Sequence, residues 1–181
     1  MLKAVFIYEL KKKLFVRKLY ERSDYLGENK IKGITINEDL LIITIEAIPN
    51  DPDNLPEVFE AFEKRNIEIT LLHNTLQNNN KITIALACSN EKLIYANKAI
   101  TQLKYKLPGI KVHKDADITK ISIIGTNKIN QTNIVNTVIK IFSENKITLK
   151  KIISSKNNIS YIINKADTLI AIQKITQVLN L

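Results

Sequence analysis

The chain has 181 residues, a formal net charge of +9 and 45% hydrophobic residues. That composition excludes a disordered chain, and a single cysteine excludes a disulfide scaffold. No apolar run approaches the ~20 residues of a bilayer span, so no stretch reads as a membrane helix.

Met1 to Ile7 carry one charge and a short apolar patch, which Glu9 and Lys11 to Lys13 interrupt. The segment is a poor signal peptide, and the cytoplasm is the expected location. Ala4 to Lys13 has helical spacing, Leu14 to Tyr20 suits a strand, and Ser23 to Lys30 is a polar linker. Ile31 to Ile36 alternates like a half-buried strand, and Leu40 to Ala47 is a second strand rich in isoleucine. A crowded turn follows, Ile48-Pro49-Asn50-Asp51-Pro52-Asp53-Asn54. Asn54 is the expected N-cap and Pro56 falls in the first helical turn, where a missing N–H costs nothing. Leu55, Val58, Phe59 and Phe62 then form one apolar stripe. Strands are expected at 67–76, 81–88 and 110–113, with a helix at 91–107 that turns Leu93, Ile94, Ala96, Ala99, Ile100 and Leu103 inward. Pro108-Gly109 stops that helix.

The plan then restarts. Strands are expected at 118–125, 147–154 and 158–163, with helices at 133–145 and 165–180. The repeat has a fixed register: Val58 matches Val138, Phe62 matches Phe142, Ile67 matches Ile147 and Ile69 matches Leu149, each 80 residues on. Asn54 falls one residue from Asn133 in that register. Each helix has one apolar stripe, so both helices of a unit belong on one face of an antiparallel sheet. Strand 31–36 precedes the first full unit and has no slot in a four-stranded sheet there, so it is expected to pair with the second unit. Two such units expose edges that seek partners, and a homodimer or larger assembly is expected.

The motifs "IKGITINEDLLIITIEAIP", "EAFEKRNIEITLLHNT", "DADITKISIIGTN" and "IISSKNNISYIIN", in this order and spacing, resemble the C-terminal regulatory region of aspartokinase. That region consists of tandem ACT domains. "YELKKKLFVRKLYERSD" is similar to the last helix and strand of that family's kinase domain. The resemblance implies an α+β fold of tandem ferredoxin-like βαββαβ (ACT) units, with antiparallel sheets and helices on one face. The implied division is 1–30 for the kinase-domain remnant and linker, 31–113 for the first ACT unit and 114–181 for the second.

In the family, an Asp, one further residue and a Pro-Gly pair at the first helix hold an effector amino acid, usually lysine or threonine. Asn50, Pro52 and Asp53 take the places of the Asp, Pro and Gly. Asn74, with His73 beside it, takes the place of a Gln on the following strand. Thr132-Asn133 takes the place of the second copy's Pro-Gly. The resemblance thus implies an effector site built from Asn50, Asp51, Asp53, Asn54, Leu55 and Asn74, with Asn133 and Ile134 of the second unit. N–H groups at a helix start suit a carboxylate, and a nearby carboxylate suits an ammonium. The missing glycine leaves a second reading open, a capped turn in a degenerate ACT pair that serves only as a dimerisation scaffold.

Nothing resembles the family's catalytic domain, which opens with a lysine-phenylalanine-glycine-glycine-threonine-serine strand and loop. The four glycines of the chain supply no phosphate cradle. The chain looks like the regulatory part of an aspartate kinase alone, a separate subunit or a piece of a longer protein. Its implied partner is an aspartokinase catalytic domain or subunit. No catalytic residue, metal or cofactor is expected, since His73 and His113 lack ligand spacing. Cys88 ends an apolar run and reads as a small buried hydrophobe. The charge raises a third class, an anion- or nucleic-acid-binding ferredoxin-like module. Only Arg17, Arg22 and Arg65 among 27 basic residues are arginine, and Phe15, Tyr20, Tyr25 and Tyr161 are too scattered for base stacking, which disfavours nucleic acid.

Given ATP, magnesium and aspartate, this chain alone should form no aspartyl phosphate. Product trapped as the hydroxamate above a protein-free control would contradict the absence of a phosphate cradle.

Overall fold

The structure, a computed structural model, describes residues 17–19, 31–77, 79–125 and 131–181. Residues 39–116 form one compact unit, and residues 117–181 form a second together with the strands before Asp39. The helix expected at Ala4 to Lys13 lies outside the described residues.

The first unit runs β3 (Leu41–Pro49), α1 (Asn54–Glu63), β4 (Thr70–Leu76), β5 (Lys81–Cys88), α2 (Leu93–Lys106) and β6 (Lys111–Asp115). Its sheet order is β4-β5-β3-β6 with every pair antiparallel. Alternate residues of the central strands, Leu41, Ile43 and Ile45 on β3 and Ile84, Leu86 and Cys88 on β5, face both helices. They pack there against Val58, Ala61 and Phe62 of α1 and Ala96, Ala99, Ile100 and Leu103 of α2. Burying each such isoleucine or leucine contributes roughly 1.5–3 kcal/mol. This is the ferredoxin-like, ACT-type arrangement.

The second unit runs β7 (Ile118–Gly125), α3 (Gln131–Glu144), β8 (Leu149–Ser155), β9 (Asn158–Asn164) and α4 (Thr168–Val178). The place beside β7 that β6 takes beside β3 is filled by β2 (Ile31–Asn37). The sheet order is therefore β8-β9-β7-β2, with the three-residue β1 (Arg17–Leu19) on the outside. Ile34 faces Ile123 and Ile36 faces Ile121 across the β2–β7 pair. All four are buried in the second core with Val138, Phe142, Tyr161 and Ile175. On β7 and β9 the buried Ser122 and Ser160 hydroxyls satisfy one another at 2.8 Å.

Several boundaries differ from expectation for physical reasons. The strands expected at Ile67 and Ile147 begin only at Thr70 and Leu149. Both helices before them end in left-handed residues, Asn66 (φ 51) and Lys146 (φ 56). There Ile67 N–H donates to the Phe62 carbonyl (3.2 Å) and Ile147 N–H to the Phe142 carbonyl (2.8 Å). This is the same six-to-one closure in both copies. Asp53, not Asn54, is the N-cap of α1. Ile94 is 68% exposed rather than inward, because it lies about 170° around α2 from the buried side. Phe59 sits on the flank of α1, 36% exposed. The expected start of the 91–107 helix is a short 3-10 turn, Asn90–Lys92. Asp39 anchors it, accepting from the Ser89 hydroxyl (2.6 Å) and the Asn90 N–H (3.0 Å).

Tyr161 is fully buried and meets Phe142 edge-to-face at 5.6 Å. Its hydroxyl finds no hydrogen-bonding partner among the described residues, and burial pushes its pKa up. An unpaired buried hydroxyl costs about 1–3 kcal/mol. Tyr161→Phe keeps the ring contact and removes that cost. The variant should therefore unfold at a higher urea concentration than the parent, by an increment on the order of 1 kcal/mol. A lower midpoint would show that the hydroxyl is satisfied.

Candidate functional site

The candidate loop begins where β3 loses its regular pairing. Between Ile45 and Ile48 the register with β5 shifts, and Ala47 adopts φ 61, a bulge that turns the strand end. Pairing resumes at Ile48↔Ile82 and Pro49↔Lys81. Asn50 is then clamped to the β4–β5 turn. Its N–H donates to the Asn80 carbonyl at 3.1 Å, and its Nδ2 donates to Asn80 Oδ1 at 3.0 Å.

Asp51 organises the helix start. Its carboxylate accepts the Asp53 N–H at 3.1 Å, and its carbonyl accepts the Asn54 N–H at 3.1 Å. Asn54 Nδ2 reaches back to the Pro49 carbonyl at 3.0 Å. The Asp53 carbonyl accepts the Glu57 N–H at 3.3 Å, while its side chain makes no capping bond and is exposed. Pro56 has no N–H to give. Among the described residues, the Leu55 N–H is the first-turn donor left for an external acceptor. The Leu55 side chain packs on the first core, which fixes the direction of that N–H. Glu57, one turn on, is paired with Lys106. The loop therefore offers one main-chain donor at the positive end of α1, flanked by the exposed carboxylates of Asp51 and Asp53. It suits a zwitterion better than a simple anion.

The other expected site residues lie elsewhere. Asn74 is exposed on β4 opposite Ile84. β5 separates β4 from β3, so Asn74 is two strands, roughly 10 Å, to the side of the loop. Asn133 is exposed in the first turn of α3, in the second unit. Ile134 is buried in the second core, so only its main chain is available to a ligand. The residues missed from sequence are Asn80 and Lys106. The Asn-rich turn Gln77 to Asn80 was the one signal for the first.

His73 and His113 sit on β4 and β6, the two opposite edges of one sheet. His113 is within 3.7 Å of Glu46. No group of three or more His, Cys, Asp or Glu residues among those described is placed to hold a metal ion. Among the same residues no helix is long and apolar enough to cross a membrane.

No family model matches the chain. Aspartokinase 2 of Bacillus subtilis is 20% identical over 158 residues, covering 87% of this chain and 38% of that protein. The chain is similar to the regulatory region of aspartokinases. Among solved structures, the regulatory subunit of aspartate kinase from Thermus thermophilus, in a ligand-free form, superposes with a TM-score of 0.73 at 19% identity. The match covers 82% of this chain and 98% of that subunit. E. coli aspartokinase III in complex with lysine and aspartate superposes with a TM-score of 0.61 at 16% identity, over 85% of this chain and 34% of that one. At these identities the superpositions establish the fold. The chain spans little more than a third of the Bacillus relative, 38%, yet nearly all of the Thermus subunit, 98%.

Cys88, the one cysteine, is buried and free. Burial, with a smaller contribution from Asp39, pushes its thiol from 9.0 up to about 11. The thiol should therefore react slowly with a disulfide reagent at neutral pH, since the thiolate is the nucleophile. The folded pKa exceeds the unfolded one, so the thiol's contribution to stability is complete below about pH 9 and is lost as pH rises towards about 11. Labelling at the free-thiol rate in the native state at pH 7 would show that Cys88 is open to solvent.

Proposed function

We propose that the chain is the regulatory part of an aspartate kinase. In this reading it binds an amino-acid effector of the lysine–threonine class, as a homodimer in the cytoplasm, and biases an aspartokinase catalytic domain or subunit. The control falls on the first step of the aspartate pathway to lysine, threonine and methionine. The observation that carries this reading is the order of two ACT-type units over a length matching 98% of a solved regulatory subunit. The lysine bound to the E. coli relative supports the class of effector.

The effector's carboxylate takes the Leu55 N–H at the start of α1. Its ammonium takes Asp53, whose side chain makes no capping bond, while Asp51 is engaged in holding the turn. Asn74, on β4 of the same unit, is the remaining side chain of the proposed set. An effector that binds one arrangement of the regulatory units better than another shifts the kinase equilibrium by about 1–3 kcal/mol. The scaffold reading retains one specific support: Asp53 stands where close backbone approach favours glycine.

Calorimetric titration with lysine, threonine and methionine decides between them. The parent should bind lysine or threonine, and Asp53→Gly should weaken that binding about ten- to a hundredfold, the equivalent of roughly 1.5–3 kcal/mol for a charge-assisted bond. Asn74→Ala should cost less. Tighter binding by Asp53→Gly would make the aspartate an obstacle rather than the ammonium partner. Silence from both proteins at millimolar ligand would leave a capped turn and a scaffold.

A further inference from the structure

The outer face of α4 differs from those of the other described helices. α1 exposes Glu60 and Glu63, α2 exposes Lys98 and Lys104, and α3 exposes Lys140 and Glu144. α4 reads TLIAIQKITQV, with Lys174 its one charged residue. Thr168, Ala171, Ile172 and Ile175 fill its inner side. Leu169, Ile170 and Val178 are 47%, 39% and 50% exposed, and the uncharged Gln173 and Gln177 are exposed between them. A helix this apolar on its outer side belongs under a covering element.

The register of the sheet shows which part of the chain comes closest to that face. β1 is antiparallel to β2, with Arg17 opposite Ile36, and Ile36 is opposite Ile121 of β7. Two residues before Ile121, the Thr119 hydroxyl lies 2.8 Å from that of Thr168, the first residue of α4. The backbone before Arg17 therefore leaves the sheet at the end where α4 begins, about 10 Å from β7 across two strand spacings.

The sixteen residues before β1, Met1 to Val16, comprise eleven hydrophobic and five charged residues. A segment of that composition gains by leaving water. Phe6, Ile7, Leu10 and Leu14 recur at the spacing of one helical side. A helix over Ala4 to Lys13 would be about 15 Å long, against about 16 Å for α4. Tethering at this distance gives the segment an effective concentration on the order of millimolar, an advantage that a second copy from bulk solution lacks.

We infer that the outer face of α4 is the docking site of the chain's own segment Met1 to Val16, with Phe6, Ile7, Leu10 and Leu14 laid over Leu169, Ile170 and Val178. The contact straps this segment to the second core. It goes beyond the regulatory reading and does not depend on it.

The test is limited trypsin digestion of the full chain, read as the rate of cutting at Lys11 to Lys13. That rate tracks the fraction of chains whose segment is released, as long as release and return are fast against cutting. Leu169→Gln with Ile170→Gln should raise it at least about tenfold, the equivalent of roughly 1.4 kcal/mol. Phe6→Gln with Leu10→Gln should do the same from the other side of the contact. Ile94→Gln with Tyr95→Gln, at the exposed start of α2, should leave the rate unchanged. Circular dichroism checks that each variant keeps its fold, and the parental rate should not vary with protein concentration. Cutting at the parental rate in either of the first two variants would overturn the inference, as would equal acceleration in the α2 variant. Protection that grows with protein concentration would also overturn it and assign the face to a second copy.

Discussion

The antiparallel pairing of β2 with β7 is the constraint on which the second unit depends. It joins residues 31–37 to residues 118–125 and supplies the strand that the second unit takes from before the first. Ile34 and Ile36 enter the second core through it. A slip of one residue would turn both isoleucines to the other face of the sheet, so the register is held by burial on one side. The first unit is thereby an insertion, leaving the second after Glu38 and rejoining it at Asp117.

Within each unit, one-sided helices decide the rest. Val58 and Phe62, like Val138 and Phe142, sit at matching points of the two cores. Both helices then end in the same left-handed closure, at Asn66 and Lys146. Neither residue is glycine, so both copies accept a backbone conformation that costs most residues about 1 kcal/mol. The closure aims the chain into the edge strand. It also sets the flank where Phe59 and Ile139 remain partly uncovered.

The architecture was legible because it is written in periodicities. Alternating isoleucines and i, i+3, i+4 stripes mark the strands and helices, and the 80-residue register marks the duplication. Local detail was less so. Ile94 is as apolar as its neighbours, and only its angle on the helix places it outside. Asn54 and Asp53 are equally good capping residues by type, and the hydrogen bonds of Asp51 decide between them. The candidate loop was visible as a dense turn, but its clamp was not. The Asn50–Asn80 pair joins residues 30 apart, a contact that no local pattern encodes. The exposed Asp53 side chain likewise follows from Asp51 having taken the turn's capping task.

The insertion has a consequence for how the chain reaches this state. β2 is made early, yet its partner strand begins only at Ile118, after the entire inserted unit. Closing a flexible loop of that length before any contact rewards it costs conformational entropy that grows with the logarithm of length. A first unit that folds alone, with its own core complete, removes most of that cost by holding Asp39 and Ala116 in one compact body. Folding is then hierarchical, first the insertion and afterwards the host. During synthesis the side of β2 that receives β7 stays unpaired until β7 leaves the ribosome. That interval is when the chain is most open to pairing with the wrong strand.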